Sequence, residues 1–168
     1  PSAAAARRDC LIIPPPEDIE AATTSWYIDG SLIDPDTPFS RLGAGSLAVN
    51  REGAPIALGY GVPPPWVDTI PGAEAWAYYV VLQGSIDLPS ITTDCLSNRS
   101  ILLAGSAAGT APSKPLARIW AAIFVRVQGM PQPLLQRFLD WMPAHTAWES
   151  VGSCVKAVDD PLLASTGV

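Results

Sequence analysis

Three acidic side chains stand where their neighbours are apolar. Asp29 follows Trp26-Tyr27-Ile28 and precedes Gly30-Ser31, after which Leu32 and Ile33 resume the apolar character. Glu74 stands near the start of the apolar run GAEAWAYYVVLQG, and Asp94 stands near the C-terminal end of PSITTDC. A carboxylate at the end of a buried segment costs several kcal/mol unless it is paired or binds a metal. Carboxylates that converge also repel, and each raises the pKa of its neighbours, so a cluster of them needs something positive. Hard oxygen donors with open positions suit Mg2+ or Mn2+, which take a few carboxylates together with waters and phosphate oxygens. Two such ions about 4 Å apart activate a water and stabilise the leaving oxygen in phosphodiester cleavage.

The elements that must bring these residues together can be read from pattern. SWYIDGSLI (25–33), RLGAGSLAV (41–49) and PIALGYGV (55–62) are strand-like, and Asn50-Arg51-Glu52-Gly53 reads as a hairpin turn, so an antiparallel meander is expected. A proline-rich loop leads to a predicted helix over 72–84, with Ala73, Ala77 and Val80 on one face and Trp76 and Tyr79 beside it. PSITTDC gives a short fourth strand, LSNRSILLAG a helix stopping at Gly105, and 114–128 a strong helix with Leu116, Ile119, Trp120, Ile123, Phe124 and Val127 in phase. A last strand is expected at 136–142, with Phe138 and Leu139 in its interior and Asp140 toward solvent. Asp34 and Asp36, flanking Pro35, read as turn formers. Trp76, Trp120 and Trp141 read as core, and Cys95 as a small buried residue. Strands in a meander, then strands alternating with helices, imply a mixed sheet covered by helices.

Composition narrows the class. The chain has 168 residues, 48% of them hydrophobic, which fits one globular domain with a sizeable core. Eighteen prolines, about twice the usual share, predict long, stiff connections. The net charge of −6 argues against coating nucleic acid by bulk electrostatics, and leaves room for contact through metals. Cys10, Cys95 and Cys154 fit neither a CxxC pair nor a disulfide framework, so reduced thiols in an intracellular protein are expected. No apolar run reaches the roughly 18 residues of a membrane span. Residues 1–24, with an alanine run and Pro14-Pro15-Pro16, read as a disordered linker, and the start without Met suggests a segment of a longer protein.

YIDGS, RLGAGSLAVNREG, IALGYGV, GAEAWAYYVVLQ, SITTDCLSN and LDWMPAHT, in this order, resemble the successive elements of type 1 ribonuclease H. The likeness is to the form carried by reverse-transcriptase-bearing retroelements, which share a W-x-P-A-H segment, and it covers about residues 25–150. It implies an α/β ribonuclease H-like domain over 25–168: a mixed five-stranded sheet of βββαβαβ-type order with helices on its faces, truncated before the family's C-terminal helix. It implies that Asp29, Glu74 and Asp94 hold two Mg2+ or Mn2+ ions, with His145 on a loop at the site edge for proton transfer or product release. Gly30 and Ser31 would let the backbone approach an RNA–DNA hybrid closely. The family's fourth carboxylate is either Asp160 or absent from this chain. Pro71, Gly72 and Leu96 stand where the cellular enzymes carry polar groups that read the minor groove.

Two functions follow. One is a metal-dependent endonuclease that cuts the RNA strand of a hybrid, working beside a reverse transcriptase or another domain of the same polypeptide. The other is an inactive module of the same fold, used for packing or interaction. An Asp-nucleophile phosphatase is excluded, because Asp29-Gly30-Ser31 lacks the second Asp two residues on. The resemblance also leaves bland roles for the same residues: Asp29 as a turn residue, Glu74 as a first-turn acid, Asp94 as a helix cap.

Overall fold

A computed structural model describes residues 9–13, 24–38 and 40–143. Its elements run β1 (Asp9–Ile13), β2 (Ser25–Ile33), β3 (Arg41–Val49), β4 (Pro55–Gly61), α1 (Ile70–Gly84), β5 (Ser90–Thr93), α2 (Leu96–Ala104), α3 (Ser106–Gly109), α4 (Ala117–Arg126), α5 (Gln132–Phe138) and β6 (Leu139–Trp141).

The sheet order is β1-β4-β3-β2-β5-β6. The meander β2-β3-β4 is antiparallel, as its short connections require. Asn50 closes the β3–β4 turn: its Oδ1 accepts the amides of Glu52 and Ala54 at 3.1 and 2.8 Å. Gly53 supplies the positive φ of 77° that this turn needs. Asp34 and Asp36 also take left-handed φ, in keeping with their reading as turn formers. β5 lies parallel to β2, and β6 parallel to β5, so β4-β3-β2-β5-β6 is the expected mixed five-stranded arrangement.

The sixth strand was not expected. Asp9–Ile13, inside the stretch read as linker, pairs antiparallel with β4 and covers what would be an open edge.

Helix α1 lies over β2 and β3 and packs on α4. Thr69 caps it, its hydroxyl accepting the Gly72 amide at 3.2 Å, with Pro71 in the first turn. The helix buries Ala73, Ala77, Tyr78, Val81 and Leu82, whereas Val80 is exposed. The apolar stripe passes through 77 and 81, one residue on from the expected face. Tyr78 meets Trp120 of α4 with ring centroids 6.5 Å apart. On α4, Ile119, Trp120 and Ile123 are buried as expected. The helix begins at Ala117 rather than 114, after turns around Pro115. At the C-terminal side the expected strand shrinks to Leu139–Trp141, because Gln132–Phe138 forms α5, with Pro133 in its first turn. Phe138 therefore ends a helix, Leu139 is buried, and Asp140 faces solvent as expected.

Among the described residues no helix is long and apolar enough to cross a membrane.

Candidate metal centre

β2 carries Asp29 in its middle rather than at its end. Trp26 and Ile28 are buried, and from Asp29 onward the strand is no longer buried. The reason is register. β5 pairs with β2 only as far as Ile28↔Thr93. One residue beyond that pair, Asp29 and Asp94 stand side by side as β5 leaves the sheet.

Glu74 arrives from the helix above. It is the fifth residue of α1 and only 3% exposed, so it is not a first-turn acid serving the helix dipole. Its approach depends on Gly30. A Cβ at Gly30 would lie 2.7 Å from the Ile70 carbonyl oxygen and 2.9 Å from Glu74 Cγ. The missing side chain lets the first turns of α1 settle onto β2, which gives Gly30 a packing role that the sequence did not suggest. Ser31 is exposed, with its Oγ over Gly43 of β3.

Asp29, Glu74 and Asp94 each offer a carboxylate oxygen, and these atoms all lie within 4.8 Å of one another. Asp29 is exposed, Asp94 intermediate and Glu74 buried, so the cluster opens toward solvent from a buried base. Asp94 does not spend its carboxylate on α2, whose N-cap is Cys95 without a side-chain bond. Burial, the charge of Asp94, a hydrogen bond with Asp94 and the charge of Asp29 push Glu74 up to about 7, and the Thr93 hydroxyl opposes them. Three carboxylates therefore meet within one small space, and their donors are hard oxygens. Both facts fit a divalent cation such as Mg2+ or Mn2+, held by Asp29, Glu74 and Asp94.

Further residues build the site. Thr93, fully buried, donates its hydroxyl to Glu74 Oε2 at 2.5 Å and accepts the Cys95 amide at 3.0 Å. Asn98 of α2, also buried, donates Nδ2 to the Pro71 carbonyl at 2.9 Å and so ties α2 to the first turn of α1. The sequence places Thr93 directly before Asp94, but only the fold shows what Thr93 holds. Asn98 had one available signal, a polar side chain one helical turn after Asp94. Trp141, expected in the core, is 40% exposed, and its Nε1 donates to the Asp94 carbonyl at 3.0 Å. Trp120 is core as expected, and Trp76 is only partly buried, at the edge of the core. Cys95 is half-buried. His145, Asp159 and Asp160 lie outside the described residues.

Among solved structures, the chain matches the protease–reverse transcriptase of prototype foamy virus. The native protein aligns with a TM-score of 0.53 and 17% identity, over 86% of this chain and 20% of that one. The foamy viral protease–reverse transcriptase in complex with an RNA/DNA hybrid aligns with a TM-score of 0.52 and 17% identity, over 82% and 19%. The fold is ribonuclease H-like. The chain spans about a fifth of the length of the structures it matches. No family model matches it, and no curated protein does.

Proposed function

We propose that this chain is a metal-dependent endonuclease domain that hydrolyses the RNA strand of RNA–DNA hybrids. The observation that carries the reading is the convergence of Asp29, Glu74 and Asp94, with ligand oxygens within 4.8 Å, at the solvent-facing side of a ribonuclease H-like sheet. Asp29 and Asp94 stand toward solvent, where a phosphodiester can approach, and Glu74 anchors the site from beneath. Asp29, Glu74 and Asp94 would hold divalent ions, which when bound would supply an activated water and stabilise the leaving oxygen. Ser31, exposed two residues from Asp29, and the backbone at Gly30 would contact the sugar-phosphate chain. Discrimination of RNA from DNA rests on the 2′-hydroxyls and helix shape. His145 serves proton transfer or product release, and Asp160 is the candidate for a fourth carboxylate.

One matched structure holds an RNA/DNA hybrid, which supports that substrate class. The small share of each matched chain supports work alongside a reverse transcriptase or another domain of one polypeptide.

The test is cleavage of a hybrid labelled in its RNA strand, in Mg2+ and in Mn2+, with Asp94→Asn alongside. Cleavage is expected from the unaltered chain and only background from the variant. Equal cleavage by the two sinks the metal assignment. Metal binding without cleavage, in the chain and in a longer form of the protein, favours the inert module.

A further inference from the structure

Asp94 lies just beyond the last residue of β5, where a strand end would ordinarily fray, yet the chain on both sides of it is held. Met142 donates its amide to the Thr93 carbonyl at 3.0 Å. The Cys95 amide donates to Thr93 Oγ1 at 3.0 Å. The third bond differs in kind: the indole of Trp141, from β6, reaches across β5 to donate Nε1 to the Asp94 carbonyl at 3.0 Å. The pairing Thr93↔Trp141 sets the ring at this point.

Burial does not explain that ring, because it is 40% exposed. Water would satisfy the same N–H at this depth, so the bond adds little to global stability. Together with the bonds to the Thr93 carbonyl and from the Cys95 amide, it holds the peptides on both sides of Asp94, and so the Cα from which the carboxylate leaves. Partners behind a metal ligand act in this way, by limiting the orientations among which the ligand must choose.

We infer that Trp141 is a positioning residue of the carboxylate cluster, its indole N–H holding the Asp94 peptide so that the carboxylate points to a divalent cation shared with Asp29 and Glu74. The inference rests on the metal reading of the cluster, and its test separates the two.

Mn2+ affinity is measured on the full chain by the electron paramagnetic resonance of free Mn2+, for the unaltered protein, Trp141→Phe and Asp94→Asn. Trp141→Phe keeps an aromatic ring and removes the donor. It is expected to bind Mn2+ about tenfold more weakly, the lower end of what such partners contribute, with its thermal midpoint little changed. Asp94→Asn is expected to lose binding. In the unaltered protein the Trp141 indole N–H resonance, identified by its loss in Trp141→Phe, should shift on Mg2+ titration as its partner residue takes up the cation.

Unchanged Mn2+ affinity in Trp141→Phe, with binding lost in Asp94→Asn, overturns the role of Trp141 and leaves the cluster standing. An unaltered chain that binds no Mn2+ overturns the cluster reading and this role with it. Should Trp141→Phe fail to fold, the resonance is found by selective labelling in the unaltered chain, and an indole N–H unmoved at saturating Mg2+ overturns the inference.

Discussion

Thr93 Oγ1 donates to Glu74 Oε2 at 2.5 Å and takes the Cys95 amide at 3.0 Å, so one buried hydroxyl joins β5, the start of α2 and the helix α1 above them. The bond favours the ionised form of Glu74, against burial and against two neighbouring carboxylates. A carboxylate left without it would be easier to protonate and worse at holding a cation. Thr93 thus keeps a costly group in the state in which it is useful.

Thr93→Val preserves the shape and removes the hydroxyl. The Glu74 pKa should rise further above 7, and stability at pH 8 without metal should fall by about 1–3 kcal/mol, as for a hydrogen bond to a charged group. A carbon-detected NMR titration of Glu74 and urea unfolding check the two effects. An unmoved titration would remove Thr93 from the site.

The elevated Glu74 pKa makes stability depend on pH in a defined direction. Below about pH 4.5 the carboxyl is protonated in the folded and unfolded chains alike, and its contribution is intact. Between about 4.5 and 7 the unfolded chain ionises first, so stability falls as pH rises. Above 7 the loss is complete, on the order of 3 kcal/mol at most. Mg2+ held by the ionised cluster, as proposed, should recover stability at pH 8 while doing little at pH 5. Urea unfolding at the two pH values, with EDTA or Mg2+, should show this pattern, and Glu74→Gln should flatten it. A Mg2+ effect of the same size at both pH values would contradict the account.

Much of this was legible in the sequence, and the rest was not for physical reasons. The meander and the Asn50–Gly53 turn follow from local patterns, and α4 from a repeat at i, i+3 and i+4. Asp29, Glu74 and Asp94 stood out because each breaks an apolar context. β1 was hidden because a five-residue strand beside prolines has no strong signal of its own, and its hydrogen bonds come from β4, more than 40 residues away. The end of the chain misled because Gln132–Phe138 has too few residues to display a helical period. Trp141 looked like core because large aromatics usually are; its actual place depends on a carbonyl 47 residues earlier. Gly30 was noticed for its smallness, but what needs the space is the Ile70 carbonyl, which only the packed helix places there.

Gly30→Ala tests that packing. Its Cβ would come 2.7 Å from a backbone oxygen that cannot rotate away, and 3.0 Å from the Glu74 amide. Helix α1 must then lift from β2, carrying Glu74 away from Asp29. Destabilisation of roughly 1–3 kcal/mol is expected from such overpacking, together with weaker Mn2+ binding. Full stability in the variant would show that α1 is not seated as described.

Asn98→Ala probes the other anchor of α1. The Pro71 carbonyl would lose the Nδ2 donor 2.9 Å away, at a site where Asn98 itself is only 2% exposed. Loss of this part-buried hydrogen bond costs about 0.5–1.5 kcal/mol, which urea unfolding would register. The loss should be local as well as global. α2 and the first turn of α1 would no longer be tied, so amide hydrogen exchange should quicken at Ala73 and Glu74 more than in β3. Because Glu74 follows directly on that turn, Mn2+ affinity should fall in the same variant although the Asn98 hydrogen bond goes to the Pro71 carbonyl and not to the cluster. Uniformly faster exchange across the chain, with Mn2+ affinity intact, would reduce Asn98 to an ordinary core contact.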